Sequence, residues 1–425
     1  MKKLFIMTIA LLPALANAQV RVNAELKGLI TKSFGYFPKI REAENNIATA
    51  QQKLNLTQIS KLPEVTGDAS YNYIKPKIVI PINGVDFQFA PVHSVSTAIN
   101  ASYTVFDFGR LKANIERSKT DIQLAQHNVE YVKNTLAYQV ANVYYNIVYL
   151  QKAISIQDSV LGYLNENRGI VESKLRNGDA IKIDLLNIQA SIDAAQNQKV
   201  DLQNSLQKQL NLLDYTTGTK QNTGEQFDFD INMVDVGSAL VQSQTYNLDF
   251  VLLKDKIVQA QKDMEVTKLG DKPTVALHAA TGVKNGYVPD VGEMRFNYVA
   301  GFSFSIPIYN GGKTKQQVKL AQTIVRQNEL AVESLSSNYK KDIEQALTDV
   351  ATNLERIKNT AGQIEQAKAA QALASNRFKN GVGTNLEITN ASTNVERAAL
   401  TKLQYEYQLC LSKLELARLM GYQYW

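Results

Sequence analysis

The 425-residue chain holds one cysteine, Cys410, and three histidines, His93, His127 and His278. A single thiol forms no internal disulfide and is expected to pack as a small hydrophobe. The histidines are scattered over two strands and a helix without ligand spacing, so they point to no metal site. No glycine-rich loop leads from a strand into a helix in the way that cradles a phosphate; the nearest glycines, Gly282 and Gly286, belong to a hairpin. These absences argue against an enzyme, and no cofactor is expected. An excess of one charge is lacking too: 46 basic against 40 acidic residues predicts a mixed, solvated surface and no nucleic acid partner. Past the first residues there is no apolar run of roughly eighteen, so no helix is expected to cross a bilayer.

What is present begins with an export signal. Lys2 and Lys3 precede an apolar stretch from Leu4 to Leu15, and Ala16-Asn17-Ala18 places small residues where a signal peptidase reads. Residues 1–18 are therefore expected to be a signal peptide, with the mature chain starting at Gln19. No cysteine follows the cleavage point, so a lipid anchor is not expected there.

The chain is also internally duplicated. Asn177-Gly178 followed by Ile183-Asp184-Leu185-Leu186-Asn187 recurs as Asn380-Gly381 followed by Leu386-Glu387-Ile388-Thr389-Asn390, a shift of 203 residues. Phe106-Asp107-Phe108-Gly109-Arg110 recurs at the same shift as Tyr309-Asn310-Gly311-Gly312-Lys313. Upstream of Pro63 and Pro273 the shift is 210, so seven residues slip in between, which marks a loop-bearing segment. The first repeat spans 19–213, with a helix, a β-hairpin over 64–106, a long helix over 109–176, a tip turn at 177–178 and a helix over 179–213. Residues 214–247 form an equatorial linker. The second repeat spans 248–425, with a helix, a β-hairpin over 274–309, a long helix over 312–379, a tip turn at 380–381 and a helix over 382–420.

Proline is absent from Gly109 to Arg176. Apolar residues recur there at Ile122, Ala125, Val129, Val132, Leu136, Val140, Val143, Ile147, Leu150 and Ile154. This is a coiled-coil seam with one four-residue stutter. Val332, Leu335, Tyr339, Ile343, Ala346, Val350 and Ile357 echo it. Each such helix would run roughly 100 Å if unbroken. Glycine at 178 and 381 supplies the positive φ that ends a helix, and amphipathic pattern resumes at once, so each repeat ends in a helical hairpin.

Between Pro63 and Phe106, and between Pro273 and Tyr309, the period becomes two. Val95, Thr97, Ile99, Ala101, Tyr103 and Val105 alternate with Ser96, Ala98, Asn100, Ser102 and Thr104, and similar alternation runs from Tyr298 to Ile306. Each strand thus has an apolar, aromatic-rich face and a small polar one. The loops at Ile80–Pro91 and Gly286–Arg295 hold turn residues and are expected to face the cell exterior. Four strands cannot close a barrel in lipid, where each unpaired backbone group costs several kcal/mol. Several chains must share one. Two copies give eight strands, a barrel filled by side chains, and three give twelve, which begins to leave a lumen that suits the polar faces.

The signal peptide, the duplicated hairpin–helix–turn–helix unit, the helix starts at Gly109-Arg110 and Gly312-Lys313, and the two basic–apolar–x–x–Gly turns together resemble the TolC-type outer-membrane efflux family. The resemblance covers essentially the whole mature chain. It implies an α+β membrane protein: a homotrimeric 12-stranded β-barrel, four strands per chain, continuous with a long α-helical coiled-coil barrel crossing the periplasm. It further implies a passive exit duct of a tripartite efflux or type I secretion system, docked to a periplasmic adaptor protein and an inner-membrane RND or ABC pump. The adaptor-docking tip would comprise Lys174, Leu175, Asn177, Gly178, Arg377, Phe378, Asn380 and Gly381.

Asp184 and Glu387 each stand six residues past a tip glycine and are candidates for a periplasmic gate. The family's frequent carboxylate nine residues past that glycine is replaced here by Asn187 and Asn390, which completes the candidate set. Tyr71, Tyr73, Tyr103, Phe106, Tyr298, Phe302, Phe304 and Tyr309 suit an aromatic girdle against outer-membrane lipid. The competing reading is a secreted coiled-coil structural or adhesive stalk with a β anchor. Two equivalent basic turns serve no purpose in a stalk.

Overall fold

The computed structural model describes residues 21–425 except 83, 221–223 and 225. The expected signal peptide and Gln19 lie outside the described residues. The chain divides into two compact units. One holds Glu42–Asn128 and Leu252–Glu333; the other holds the described residues up to Arg41, Val129–Val251 and Ser334–Trp425.

The first unit is built around strands β1 (Glu64–Tyr73), β4 (His93–Phe106), β5 (Thr274–Lys284) and β6 (Arg295–Ser305), an antiparallel sheet in the order β1-β4-β5-β6. The hairpins of the two repeats are thus joined by β4 pairing with β5. The segment expected as a loop between β1 and β4 contains a further hairpin, β2 (Val79–Ile82) with β3 (Val85–Gln88). Asn-Gly between short apolar runs is a two-residue hairpin signal, and the strands that flank it pair, from Val79 with Gln88 to Ile82 with Val85. In the second repeat β6 stops at Ser305, short of the expected 309. Pro307 has no N–H to give a ladder, so Tyr309 lies beyond the strand.

Helices feed and drain the sheet. The expected single helix before each hairpin is two: α1 (Ala24–Tyr36) and α2 (Pro38–Ile59) in the first repeat, α5 (Val236–Tyr246) and α6 (Leu248–Lys268) in the second. The equatorial linker therefore contains a helix. The breaks at Phe37 and Asn247 stand 210 residues apart and share one geometry. Each broken residue is extended, and its N–H donates to the carbonyl of Ser33 at 2.8 Å or Ser243 at 2.9 Å. Pro38 enforces the first break, since the residue before proline is driven out of the helical region. At the second, Asn247 Oδ1 accepts from Asp249 N at 2.9 Å and so starts the next helix by capping.

The long helices are α3 (Arg110–Asn177) and α7 (Lys313–Lys379), followed by α4 (Lys182–Thr217) and α8 (Asn385–Leu419). In the second unit α3 departs from a simple seam. Ala137, Ala141, Tyr144, Tyr145 and Val148 are buried along with Leu136, Val140 and Ile147, a wider buried face than a seam alone presents, while Gln139 stays exposed. Glu25 in α1 meets Tyr144, the Arg418 guanidinium near the end of α8 lies 5.5 Å from the Tyr138 ring centre, and the linker residue Phe229 stands edge-on to Tyr145 with ring centroids 6.4 Å apart. Buried hydroxyls find partners: Tyr144 Oη donates to Glu25 at 3.0 Å and accepts from Gly224 N at 3.1 Å, and Tyr145 Oη donates to Asp228 at 3.0 Å. Cys410 is buried near this layer, and burial pushes its thiol up.

Candidate functional site: an amphipathic sheet and two paired turns

Directly opposed residues in a sheet share a face. The register runs Ile99 against Gly67 and Thr281, and Thr281 against Tyr298; it also sets Tyr103 against Leu277 and Leu277 against Phe302. All four strands therefore place their apolar parity on one side. The other side carries Asn100, Ser102, His278, Ala280, Gly301 and Ser303 on aligned rows. Strict alternation would send Phe106 to the polar side. A bulge between Thr104 and Phe106 inserts Val105 as an extra residue, and Phe106 pairs with Val275 on the apolar side.

Aromatic side chains on that side are exposed and not packed on a core. Tyr298 is 80 % and Phe302 75 % exposed, and Tyr71, Tyr73, Tyr103, Phe106 and Phe304 are exposed as well. Tyr309 is exposed but sits off the sheet. Every residue of β1 is exposed, on both faces. The edges of the sheet, β1 and β6, have no further strand among the described residues. An ordinary sheet packs one face on a core; this one packs neither.

In the other unit, the helix ends form two copies of one turn. At the first, Gly178 has φ +83°, its N–H donates to Leu175 O at 3.2 Å, and Asp179 N donates to Lys174 O at 2.8 Å. At the second, Gly381 has φ +77°, its N–H donates to Phe378 O at 3.1 Å, and Val382 N donates to Arg377 O at 3.0 Å. This is the Schellman arrangement, in which a left-handed glycine lets two N–H groups fold back on the last turn's carbonyls.

The two turns pack together. Phe378 is 6 % exposed, buried with Val171, Ala374, Ile388 and Ala391, and the Lys174 ammonium lies 5.3 Å from its ring centre. Phe378 is therefore not available to a partner as expected. A large apolar ring at a four-helix junction gains more from burial than from solvent contact. Asn385 Nδ2 donates to the carbonyl of Asp184 at 2.9 Å, and Lys379 lies 3.9 Å from Glu166, so both contacts tie one repeat to the other. Lys174 and Leu175 are half-buried, while Asn177, Gly178, Arg377, Asn380 and Gly381 are exposed.

Asp184 caps its helix through its carboxylate, and Glu387 stands at the equivalent position and takes part in its cap through its backbone N–H. Asp184 Oδ2 accepts from Ile181 N at 3.2 Å, and Glu387 N donates to Thr384 Oγ1 at 3.2 Å, both at the third helical position, where negative charge also suits the helix dipole. Glu387 additionally lies 3.6 Å from Arg377 across the turn. Asn187 and Asn390 are exposed. Sequence reasoning missed the apolar residues that follow each glycine: Ile183 is 51 % and Leu386 62 % exposed, at equivalent positions. The signal was available, because both fall off the buried line of Leu185, Ile188 and Ile192.

The profile of a family described as Outer membrane efflux protein matches residues 35–219 and 244–422. The chain is 20% identical over 403 residues to the outer membrane protein TolC of Escherichia coli K12, covering 90% of this chain and 79% of that one. It is 20% identical over 416 residues to the cation efflux system protein CusC of the same strain, covering 94% and 87%. Its fold is similar to the crystal structure of the Campylobacter jejuni CmeC outer membrane channel, with a TM-score of 0.75 at 18% identity over 94% and 86% of the two chains. A family profile that matches most of the chain, in both repeats, shows that the chain belongs to the outer membrane efflux protein family.

Proposed function

We propose that three copies of this chain form an exit duct in the outer membrane, through which an export machine discharges its cargo. The observation that carries this reading is the sheet: four aligned strands, two unpaired edges and two uncovered faces. In lipid such edges cost several kcal/mol for each unpaired backbone group, so pairing β1 of one copy with β6 of the next removes a prohibitive penalty. Three sheets make twelve strands, enough to enclose a water-filled lumen lined by the serine- and asparagine-bearing face. The strands, of 10 to 14 residues, are long enough to span the hydrocarbon layer when tilted.

On the periplasmic side, α3, α4, α7 and α8 of the three copies form the wall of the duct, and the paired turns are its end. Lys174, Leu175, Asn177, Gly178, Arg377, Asn380 and Gly381, with Ile183 and Leu386, supply the surface for a periplasmic adaptor that couples the duct to an inner-membrane pump. Asp184, Asn187, Glu387 and Asn390 stand at this end as gate residues. The Arg377–Glu387 pair and the Asn385–Asp184 link are the contacts that opening would break. The channel itself is passive and performs no covalent step. A stalk with a β anchor would not need a lumen-type polar face aligned across both repeats.

The test is direct. Detergent-purified protein should have the mass of three chains, fractionate with the outer membrane, and restore drug tolerance to a strain lacking its own duct. A monodisperse monomer, or recovery in the soluble periplasm, overturns the reading.

A further inference from the structure

On the apolar side of the four-stranded sheet, one residue carries a basic group: His93, opposite Tyr73 at the loop end of β1 and β4. A histidine among Val95, Ile99, Tyr103 and their cross-strand partners needs a reason. Its surroundings are built. The ring stacks on Tyr71, with centroids 6.0 Å apart and planes 24° from parallel, and lies 5.3 Å from the Tyr73 ring. The Tyr71 hydroxyl is 2.8 Å from His93 Nδ1. A phenol donating to Nδ1 leaves the ring proton on Nε2, directed away from the pair.

Lysines complete the cluster. Lys75 Nζ stands 5.3 Å from the centre of the Tyr73 ring, a cation–π contact, and that ring in turn lies against the imidazole. Lys77 is exposed two residues further on, and neither lysine has an ion pair among the described residues. Acidic groups of the neighbouring loop are engaged elsewhere: Asp290 accepts from Gly292 N at 3.1 Å, and Glu293 holds Arg295 at 2.8 Å. The order along the face is thus aliphatic, then aromatic, then cationic. Acyl chain, interface and anionic headgroup follow one another in the same order in a membrane leaflet.

We propose that Lys75, His93, Tyr71 and Tyr73 form a binding site for the phosphate of a glycolipid in the outer leaflet, with its acyl chains against the Val95–Ile99 part of the apolar face. The site rests on the reading of the sheet as an outer-membrane barrel wall with its loops outside. The Lys75 ammonium and the His93 Nε2–H stand at headgroup depth, where a charge-assisted hydrogen bond from an ammonium to a phosphate monoester is strong. A bound lipid there would order the edge strand β1.

Native mass spectrometry of the purified full-length protein, with added bisphosphorylated glycolipid, its dephosphorylated form, or inorganic phosphate, tests the site. Wild type should retain the bisphosphorylated lipid, and Lys75→Gln with His93→Phe, which keeps the aromatic stack, should lower retention about ten-fold. Both proteins should hold the dephosphorylated lipid equally weakly. Equal retention of the phosphorylated lipid by wild type and variant overturns the site, and displacement of it by millimolar inorganic phosphate assigns the pocket to a free anion instead. Outer-membrane fractionation of the same preparations separates the two readings. Wild type missing from that membrane overturns the duct and the site together, whereas wild type in place without phosphate-selective retention overturns the site alone.

Discussion

Gly178 and Gly381 hold nearly one conformation, φ +83° and +77°, and close two helices 203 residues apart with the same pair of backbone hydrogen bonds. A Cβ built on either meets nothing within 4 Å. The demand is therefore on the backbone alone, and a side chain there costs about 1–2 kcal/mol of local strain rather than a clash.

Gly381→Trp should therefore leave trimers assembled and reduce export sharply, because the bulk projects from the exposed end of the turn. Trimer content by native gels and drug susceptibility are measured on the same cells. Normal export from a well-expressed variant removes the turn from the mechanism, and loss of the trimer makes the glycine a structural element.

Parity across the sheet predicts opposite fates for neighbours. Ile99→Lys places a charge on the apolar face near mid-strand and, with that face against lipid as proposed, should cost about 2–4 kcal/mol, enough to lower outer-membrane assembly. Asn100→Lys, one residue on, faces the polar side and should assemble normally. Equal assembly of the two variants would contradict the facing derived from the register.

Orientation is open to chemical labelling, helped by the burial of the one native thiol, Cys410. Glu293→Cys, in the loop before β6, should react with a membrane-impermeant maleimide on intact cells. Ile183→Cys, at the paired turns, should react only after the outer membrane is permeabilised. The reverse pattern would invert the topology.

The belt of the helical unit has its own tests. Tyr339 Oη donates to Asp249 and lies 3.2 Å from Asn247 Oδ1; burial first and Asp249 second push the phenol above its usual range, so it stays a donor. Tyr339→Phe leaves that carboxylate short of a partner and should cost about 1–3 kcal/mol, seen as a lower melting temperature in detergent.

Asp230 is held below its ordinary 3.8 by the hydrogen bond from Lys413 at 2.7 Å. A carboxyl depressed on folding stabilises above its unfolded value and loses that contribution as pH falls through the folded one. Lys413→Met should therefore lower stability at pH 7 and flatten the fall below about pH 4. The side chain of Asp230 is half exposed, so the effect is about 1 kcal/mol or less. An unchanged acid profile would show that the pair contributes nothing.

Much of this protein is written locally. The long helices follow from a proline-free 3–4 apolar period, the turns from glycine after Asn177 and Asn380, and the strands from two-residue alternation. Each is set by backbone preferences and side-chain spacing within a few residues, and duplication states each of them twice. Membrane partnership was legible for the same reason, since two amphipathic hairpins have nothing among the described residues to cover them. Tertiary structure decided what depends on which faces meet. Pairing of β4 with β5, the bulge that turns Phe106 to the apolar side, the burial of Phe378 between the two turns and the all-round cover of Tyr144 and Tyr145 join residues far apart in sequence. No local period distinguishes an apolar side chain that meets another helix from one that meets lipid or a partner, because burial is a property of the neighbours and not of the residue.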